Sequence, residues 1–207
     1  MWLKKKNISP EFPPVKLYGK RTLVRPPSET DWPAWLDIRT KNKQALTPFE
    51  PTWPRNSLSE EFFTKMFYKQ INDWGADYRY AFLIYNIDDT QLLGGVNINN
   101  VQRGVLQSAS FGYWLDKDQQ GNGYMSDALT SLIAFSFTTL DLHRLQIACM
   151  PHNEKSINIA KRLNFTDEGF AKRYIKINGK WEDHQLFGLT IEDWQRRHQH
   201  NDPHDIV

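Results

Sequence analysis

Apolar residues recur along this chain in two rhythms, and the rhythms mark out the elements. Phe62, Phe63, Met66, Phe67 and Ile71 fall at spacings that put them on one face of a helix ending near Trp74. Ser57 and Glu60 supply its start signal. Met125, Leu129, Leu132, Ile133 and Phe137 repeat the pattern and predict a helix from Tyr124 to Leu140. Ser28, with Asp31 three places on, reads as a capping box for a helix running to about Lys43. Glu154 to Leu163 is a further helix. Pro48, Pro51 and Pro54 break 47–56 into a loop. Aromatic and β-branched stretches predict strands at Lys20–Arg25, Tyr78–Tyr85, Leu92–Ile98, Ser108–Leu115 and Arg144–Met150. Two more, Ala171–Ile177 and Trp181–Thr190, flank Asn178-Gly179, the strongest hairpin signal in the chain.

The order is β-α-α-β-β-β-α-β-α-β-β. An antiparallel meander comes first, followed by a strand–helix–strand unit that should be parallel and right-handed. The expected fold is α/β in the mixed α+β sense. It has one twisted, mostly antiparallel sheet of about seven strands and about four main helices. A single domain over 20–194 is expected. Pro10, Pro13 and Pro14 cannot build a helix interior, so 1–19 reads as a flexible basic arm, and 195–207 as a flexible tail.

The 207 residues are enough for one domain that folds without disulfides. Cys149 is the one cysteine, so no intrachain disulfide forms and a reducing compartment is expected. A net charge of +2 argues against a strongly basic nucleic-acid binder. No apolar run has the length of a membrane span. The Lys4-Lys-Lys6 start is not followed by an apolar stretch, so the expectation is a soluble cytoplasmic protein. The three late histidines, of six in the chain, show no ligand spacing on a predicted element, and no metal is expected.

The most informative segment is Tyr113-Trp-Leu-Asp-Lys-Asp-Gln-Gln-Gly-Asn-Gly-Tyr-Met-Ser126. A strand ends near Leu115, a Gly-rich loop follows, and a helix opens at Tyr124. Glycines let backbone N–H groups approach a ligand, and a helix start adds unpaired donors, so the segment suits phosphate. Taken alone, Gly121 and Gly123 favour the simpler reading of a helix cap. A dinucleotide fingerprint fails, because Asp141 precedes the next strand instead of ending it. A P-loop fails because no Gly-Lys-Ser/Thr follows.

Gln120-Gly-Asn-Gly-Tyr-Met125 resembles the acetyl-CoA pyrophosphate motif Q/R-x-x-G-x-G/A of the GCN5-related N-acetyltransferases (GNAT). Gln120 and Gly123 match, and Met125 departs from the final small residue. His152-Asn-Glu-Lys-Ser-Ile-Asn-Ile-Ala-Lys-Arg-Leu-Asn-Phe165 resembles the family's second motif, with Asn164 where Gly is usual. Asn is the best substitute for Gly at a left-handed helix end. Leu46-Thr-Pro-Phe-Glu-Pro51, Asn99-Asn-Val-Gln-Arg-Gly104, Met150-Pro-His-Asn153 and Asn178-Gly-Lys-Trp-Glu-Asp-His184 extend the resemblance to ribosomal-protein-alanine N-acetyltransferases of the RimJ type, over about residues 20–194.

The resemblance implies direct transfer of acetyl from acetyl-CoA to an amine. It also implies a sheet in which the strands ending at Leu115 and Met150 splay to admit the pantetheine arm. Backbone at Tyr113, Trp114 and Leu115 would pair with the arm. Gln120, Gly121, Asn122, Gly123, Tyr124, Met125 and Ser126 would hold the pyrophosphate. Asn153 and Ser156 would face the thioester. Many relatives use a Tyr in the second motif as the acid for sulfur, and here none precedes Tyr174. Ser156 can donate or relay a proton, whereas Asn153 can only orient, and it reads equally as a helix cap.

A strand Glu common in N-terminal acetyltransferases is replaced by Ala148. Glu50, His152, Glu168 and His184 remain as possible bases, each also readable as an ordinary loop or strand residue. An α-amine, with a pKa of about 8, needs only a weak base, unlike lysine at about 10.4. That favours the N-terminus of a protein as acceptor, with a small ribosomal subunit protein beginning with Ala as first choice. A small-molecule amine, or a CoA-binding module without transfer, are the rivals. Cys149 lies near the expected thioester, but no base can be assigned to activate it. Lys4–Lys6, Lys16, Lys20, Arg21 and Arg25 could give weak electrostatic contact with a ribosome, and no sequence-specific nucleic-acid contact is expected.

Overall fold

The structure, a computed structural model, describes residues 11–199. Its strands are β1 (Leu17–Tyr18), β2 (Thr22–Arg25), β3 (Tyr80–Asn86), β4 (Leu92–Gln102), β5 (Ser108–Leu115), β6 (Arg144–Cys149), β7 (Thr166–Ile177) and β8 (Lys180–Thr190). Its helices are α1 (Trp32–Lys41), α2 (Lys43–Leu46), α3 (Glu60–Gly75), α4 (Tyr124–Thr138), α5 (Glu154–Arg162) and α6 (Ile191–Gln199). One sheet of 8 strands runs β1-β2-β3-β4-β5-β6-β8-β7. Every neighbouring pair is antiparallel except β5 and β6.

The eighth strand is β1, which pairs with β2 inside the stretch expected to be a loose arm. Val15 and Leu17 pack on the core, and the Phe12 ring meets Phe67 and Trp74 at 5.6 Å each. The prolines excluded a helix there, but not an extended segment with apolar residues to bury. The helix expected over 28–43 is divided. Ser28 and Asp31 do form a capping box, but around a short 3-10 turn at Glu29–Asp31. α1 then stops at fully buried Asn42, and α2 follows. At the other end α6 carries the ordered chain through Gln199, past the expected boundary at 194. Residues 1–10, with the Lys4–Lys6 cluster, and 200–207 lie outside the described residues.

Alternation along β3 feeds two cores. Phe82 and Ile84 join Val96, Ile98 and Phe111 beneath α4, where Leu129 and Leu132 are fully buried. Leu83 and Tyr85 point the other way, with Leu23 and Leu92, against Trp35 and Ile38 of α1 and Phe63 of α3. The parallel contact between β5 and β6 covers only Ser108↔Arg144, Ala109↔Leu145 and Ser110↔Gln146. Beyond Ser110 the strands have no shared ladder, and the sheet opens toward α5. The expected splay is therefore present.

Candidate active site

The loop after β5 owes its shape to Gly121 and Gly123, whose φ values of +83° and +78° lie in the left-handed region. Gly123 is also the N-cap of α4 and offers no side-chain hydrogen bond, so the first amides of the helix stay uncapped. Cations surround this positive helix end. The Arg21 guanidinium donates to the Asn122 carbonyl, Lys155 Nζ donates to Gln120 Oε1 at 2.6 Å, and Arg162 reaches Ser126 Oγ at 3.3 Å. A concavity of about 780 Å³ beside the loop is lined by Lys20, Arg21, Gly123, Ser126 and Arg162. Arg21 also sits 5.1 Å over the Tyr124 ring. Met125, the departure from the small-residue motif, is 4% exposed and packs into the core, which leaves its backbone at the loop.

Asp127 sets the pose of the helix start. Its carboxylate accepts from the backbone amides of Lys20, Arg21 and Thr22 at 2.9–3.0 Å and from the Thr22 hydroxyl at 2.7 Å. Partial burial works to raise its pKa, but these donors hold it below the ordinary value. A Cβ on Gly19 would fall 2.3 Å from Asp127 Oδ2, so the turn before β2 closes on the carboxylate because position 19 is glycine.

At the splay, Tyr113 reaches across from β5. Its phenol oxygen is 2.7 Å from Ser156 Oγ, and Cys149 Sγ donates to Ser156 Oγ at 3.2 Å. Burial pushes the Tyr113 phenol above its usual pKa and the Cys149 thiol above its own. Asn153 is the N-cap of α5, with its side-chain oxygen accepting from the Ser156 amide at 3.2 Å. The edge of β5 from Phe111 to Leu115 has no partner in β6. Free strand edge, uncapped helix start and clustered cations together fit an amide-bearing pantetheine arm followed by a pyrophosphate. The sequence marked Tyr113 only for its backbone, because no motif spacing shows a phenol crossing to another element.

A second cavity, about 450 Å³, lies on the α1–α3 side of the sheet. Tyr113 lines it too, and so joins it to the splay. Glu50 stands in its wall. Arg39 grips both carboxylate oxygens at 2.8 and 2.6 Å, and Trp53 Nε1 donates to one at 2.7 Å. The Arg39 guanidinium lies 4.2 Å over Trp53 and 4.9 Å over Trp114. Trp114 thus turns its ring to this cavity, while Leu115 is buried at the strand end. The Glu50 carbonyl accepts from the Asn178 amide at 2.9 Å, so the β7–β8 hairpin clasps the Glu50 loop.

His184 is 3% exposed and is not among the residues lining this cavity. Its Nδ1 donates to the Glu182 carbonyl at 3.0 Å and its ring meets Tyr174 edge-on. Glu168 pairs with Arg144 at the far end of β6 from Cys149. His152 stacks obliquely on Phe49, 5.8 Å between centroids. Of the possible bases, Glu50 alone is among the residues lining the cavity.

This geometry agrees with comparison to known proteins. The acetyltransferase (GNAT) domain family matches residues 21–166, and the chain belongs to that family. It is an N-acetyltransferase, with acetyl-CoA as the acyl donor. The [Ribosomal protein uS5]-alanine N-acetyltransferase of Escherichia coli (strain K12) is 33% identical over 190 residues, covering 88% of this chain and 94% of that one. The ribosomal-protein-S5-alanine acetyltransferase structure from Vibrio fischeri superimposes with a TM-score of 0.80 at 29% identity, covering 87% of this chain and 98% of that chain. Mycobacterium smegmatis RimJ, solved in complex with CoA-disulfide, gives a TM-score of 0.81 at 28% identity, covering 87% and 89%. Among the described residues no helix is long and apolar enough to cross a membrane.

Proposed function

We propose that this enzyme acetylates the N-terminal α-amine of a protein, with a ribosomal protein beginning with Ala as the acceptor. The observation that carries the reading is the cavity beside Tyr113, whose wall holds Glu50 already engaged by Arg39 and Trp53. Any carboxylate is a weak base, adequate for an α-amine of pKa about 8 and poorly matched to lysine at about 10.4. The similarity to the uS5-alanine N-acetyltransferase supports the ribosomal acceptor. Such an acceptor places the work in the cytoplasm.

Acetyl-CoA supplies the thioester carbonyl and a sulfur leaving group. The α4 loop binds the pyrophosphate, and the free edge of β5 aligns the arm. Glu50 takes the amine proton, directly or through a water. Tyr113 and Ser156 keep a proton at the splay and deliver it to the departing sulfur, and Asn153 fixes the start of α5. His184 has no role in this scheme. A covalent acetyl-cysteine is not part of it, because Cys149 is buried and its thiol is pushed up, away from the reactive thiolate.

Thiol release from acetyl-CoA tests the reading against peptides beginning with Ala, Ser or Met, N-blocked lysine peptides and free amines. Turnover should be confined to free N-termini and highest for Ala. With a saturated donor, kcat/KM should rise with pH and level off near the α-amine pKa, at about 8. Turnover on free amines alone would overturn the reading.

A further inference from the structure

Gln70, on α3, is 7% exposed, and its Oε1 has no hydrogen-bond partner. Arg79, just before β3, has a buried Nε that is also without a partner. Both line the cavity beside Tyr113, together with Asn97 and Asn99, which stand on one face of β4. Burying such groups unpaired is costly, and a cation more so than an amide. The acids nearby are otherwise engaged. Asp73, whose charge Arg79 feels, is paired with Lys69, and Glu50 is held by Arg39 and Trp53. Two arginines against one glutamate leave the wall net positive. Trp35, Phe63, Met66 and Leu83 supply apolar surface around it. Gly112 keeps the floor open, since a Cβ there would lie 3.0 Å from the Asn99 amide.

We propose that Gln70, Arg79, Asn97 and Asn99 form a subsite for a carboxylate on the acceptor, the side chain of a Glu or Asp near its N-terminus. The guanidinium offers only donors, and Asn97, Asn99 and, with its amide turned, Gln70 can add donors toward the same point, so a carboxylate answers the Arg79 charge as well as the hydrogen bonds, and a neutral amide answers only the hydrogen bonds. The apolar wall takes the methylenes of the acidic side chain. The proposal rests on the reading of the acceptor as a peptide N-terminus.

The test uses the full chain with short free-N-terminus peptides that differ only by Glu or Gln at each of the first few positions. At one position the Glu peptide should have a kcat/KM about tenfold or more above its Gln twin, as expected for a charge-assisted pair. Arg79→Gln should bring that ratio to one, and Arg79→Lys should keep part of it. CoA affinity at the wild-type value reports that the variant is folded. Gln70→Leu provides a second variant, in which the same ratio should drop several-fold. Equal rates for Glu and Gln peptides in the wild type, or a ratio that survives Arg79→Gln, would overturn the subsite. If no peptide turns over at all, the peptide reading fails separately. Binding of glutamate against glutamine to the CoA-loaded protein then decides the subsite. A preference lost in Arg79→Gln supports it, and equal binding sinks it.

Discussion

Tyr113 serves two compartments at once. Its backbone lies on the open edge of β5, it stands among the residues lining the cavity of about 450 Å³, and its hydroxyl meets Ser156 at 2.7 Å. If the hydroxyl pair delivers the proton to sulfur, Tyr113→Phe and Ser156→Ala should each lower kcat by about 10–100-fold while the acetyl-CoA KM stays within about twofold. Steady-state kinetics with acetyl-CoA varied at saturating acceptor reads both. Unchanged kcat in both variants would remove the role. Burial raises the phenol's pKa, so the donor stays protonated past its usual range, and no loss of kcat from this group is expected below about pH 10. Cys149→Ala should keep kcat within about threefold, because a buried neutral thiol contributes packing and one weak hydrogen bond.

At the scale of an element, the Gly-rich loop proposed to hold the cofactor depends on how α4 begins. Gly123 sits at φ +78°, and a Cβ there would lie 2.9 Å from the Arg21 guanidinium. Gly123→Val should therefore abolish measurable CoA binding in a titration while leaving the far-ultraviolet circular dichroism unchanged. Asp127 ties the helix to the chain entering β2. Asp127→Asn retains one acceptor oxygen for donors that now use two, and should cost about 2 kcal/mol in urea unfolding, held to the low end by partial solvent screening. The carboxyl's folded pKa is depressed, so its contribution is complete above the unfolded value of about 3.9 and fades as pH falls through the folded one. Wild type should lose stability faster than Asp127→Asn on acidification below about pH 4.

Across the whole molecule, the Glu50 loop is where separate parts of the chain meet. Arg39 from α1 holds it from one side, the Asn178 amide of the β7–β8 turn holds it from another, and Phe49 touches His152 before α5. The Arg39–Glu50 pair is mostly shielded, at 11% and 22% side-chain exposure. Removing one partner of a shielded pair leaves the other uncompensated, so Arg39→Ala should cost about 3 kcal/mol in denaturant unfolding. It should also raise the acceptor KM more than the acetyl-CoA KM, since the loop borders the cavity proposed to take the acceptor. Arg39→Lys should not rescue it, because lysine lacks the fork for both carboxylate oxygens and the flat face for Trp53 and Trp114.

Local information was enough for much of this protein. The helical faces of α3 and α4, the Asn178-Gly179 turn and the Gly121/Gly123 loop follow from rhythms and residue types within a few positions, and so they were legible in the sequence. The motif around Gln120 and the cap at Asn153 were legible for the same reason. Other features depend on contacts between residues far apart in the chain. β1 exists because Leu17 and Tyr18 find β2, and nothing within 11–19 alone distinguishes that strand from a loose arm. Tyr113 meets Ser156 because two parallel strands separate after Ser110, a matter of sheet register. Glu50 and Glu168 looked alike as lone carboxylates. Folding bound one to Arg39 in the wall of the cavity and the other to Arg144 at the far end of β6. Gln70 and Arg79 carried no signal at all, because an unpartnered polar group can be recognised only once its surroundings are packed. Sequence determined the elements and the Gly-rich loop before α4, since backbone preference and side-chain period act over short range. Tertiary structure alone decided which polar groups share a cavity and which of them remain to meet a substrate.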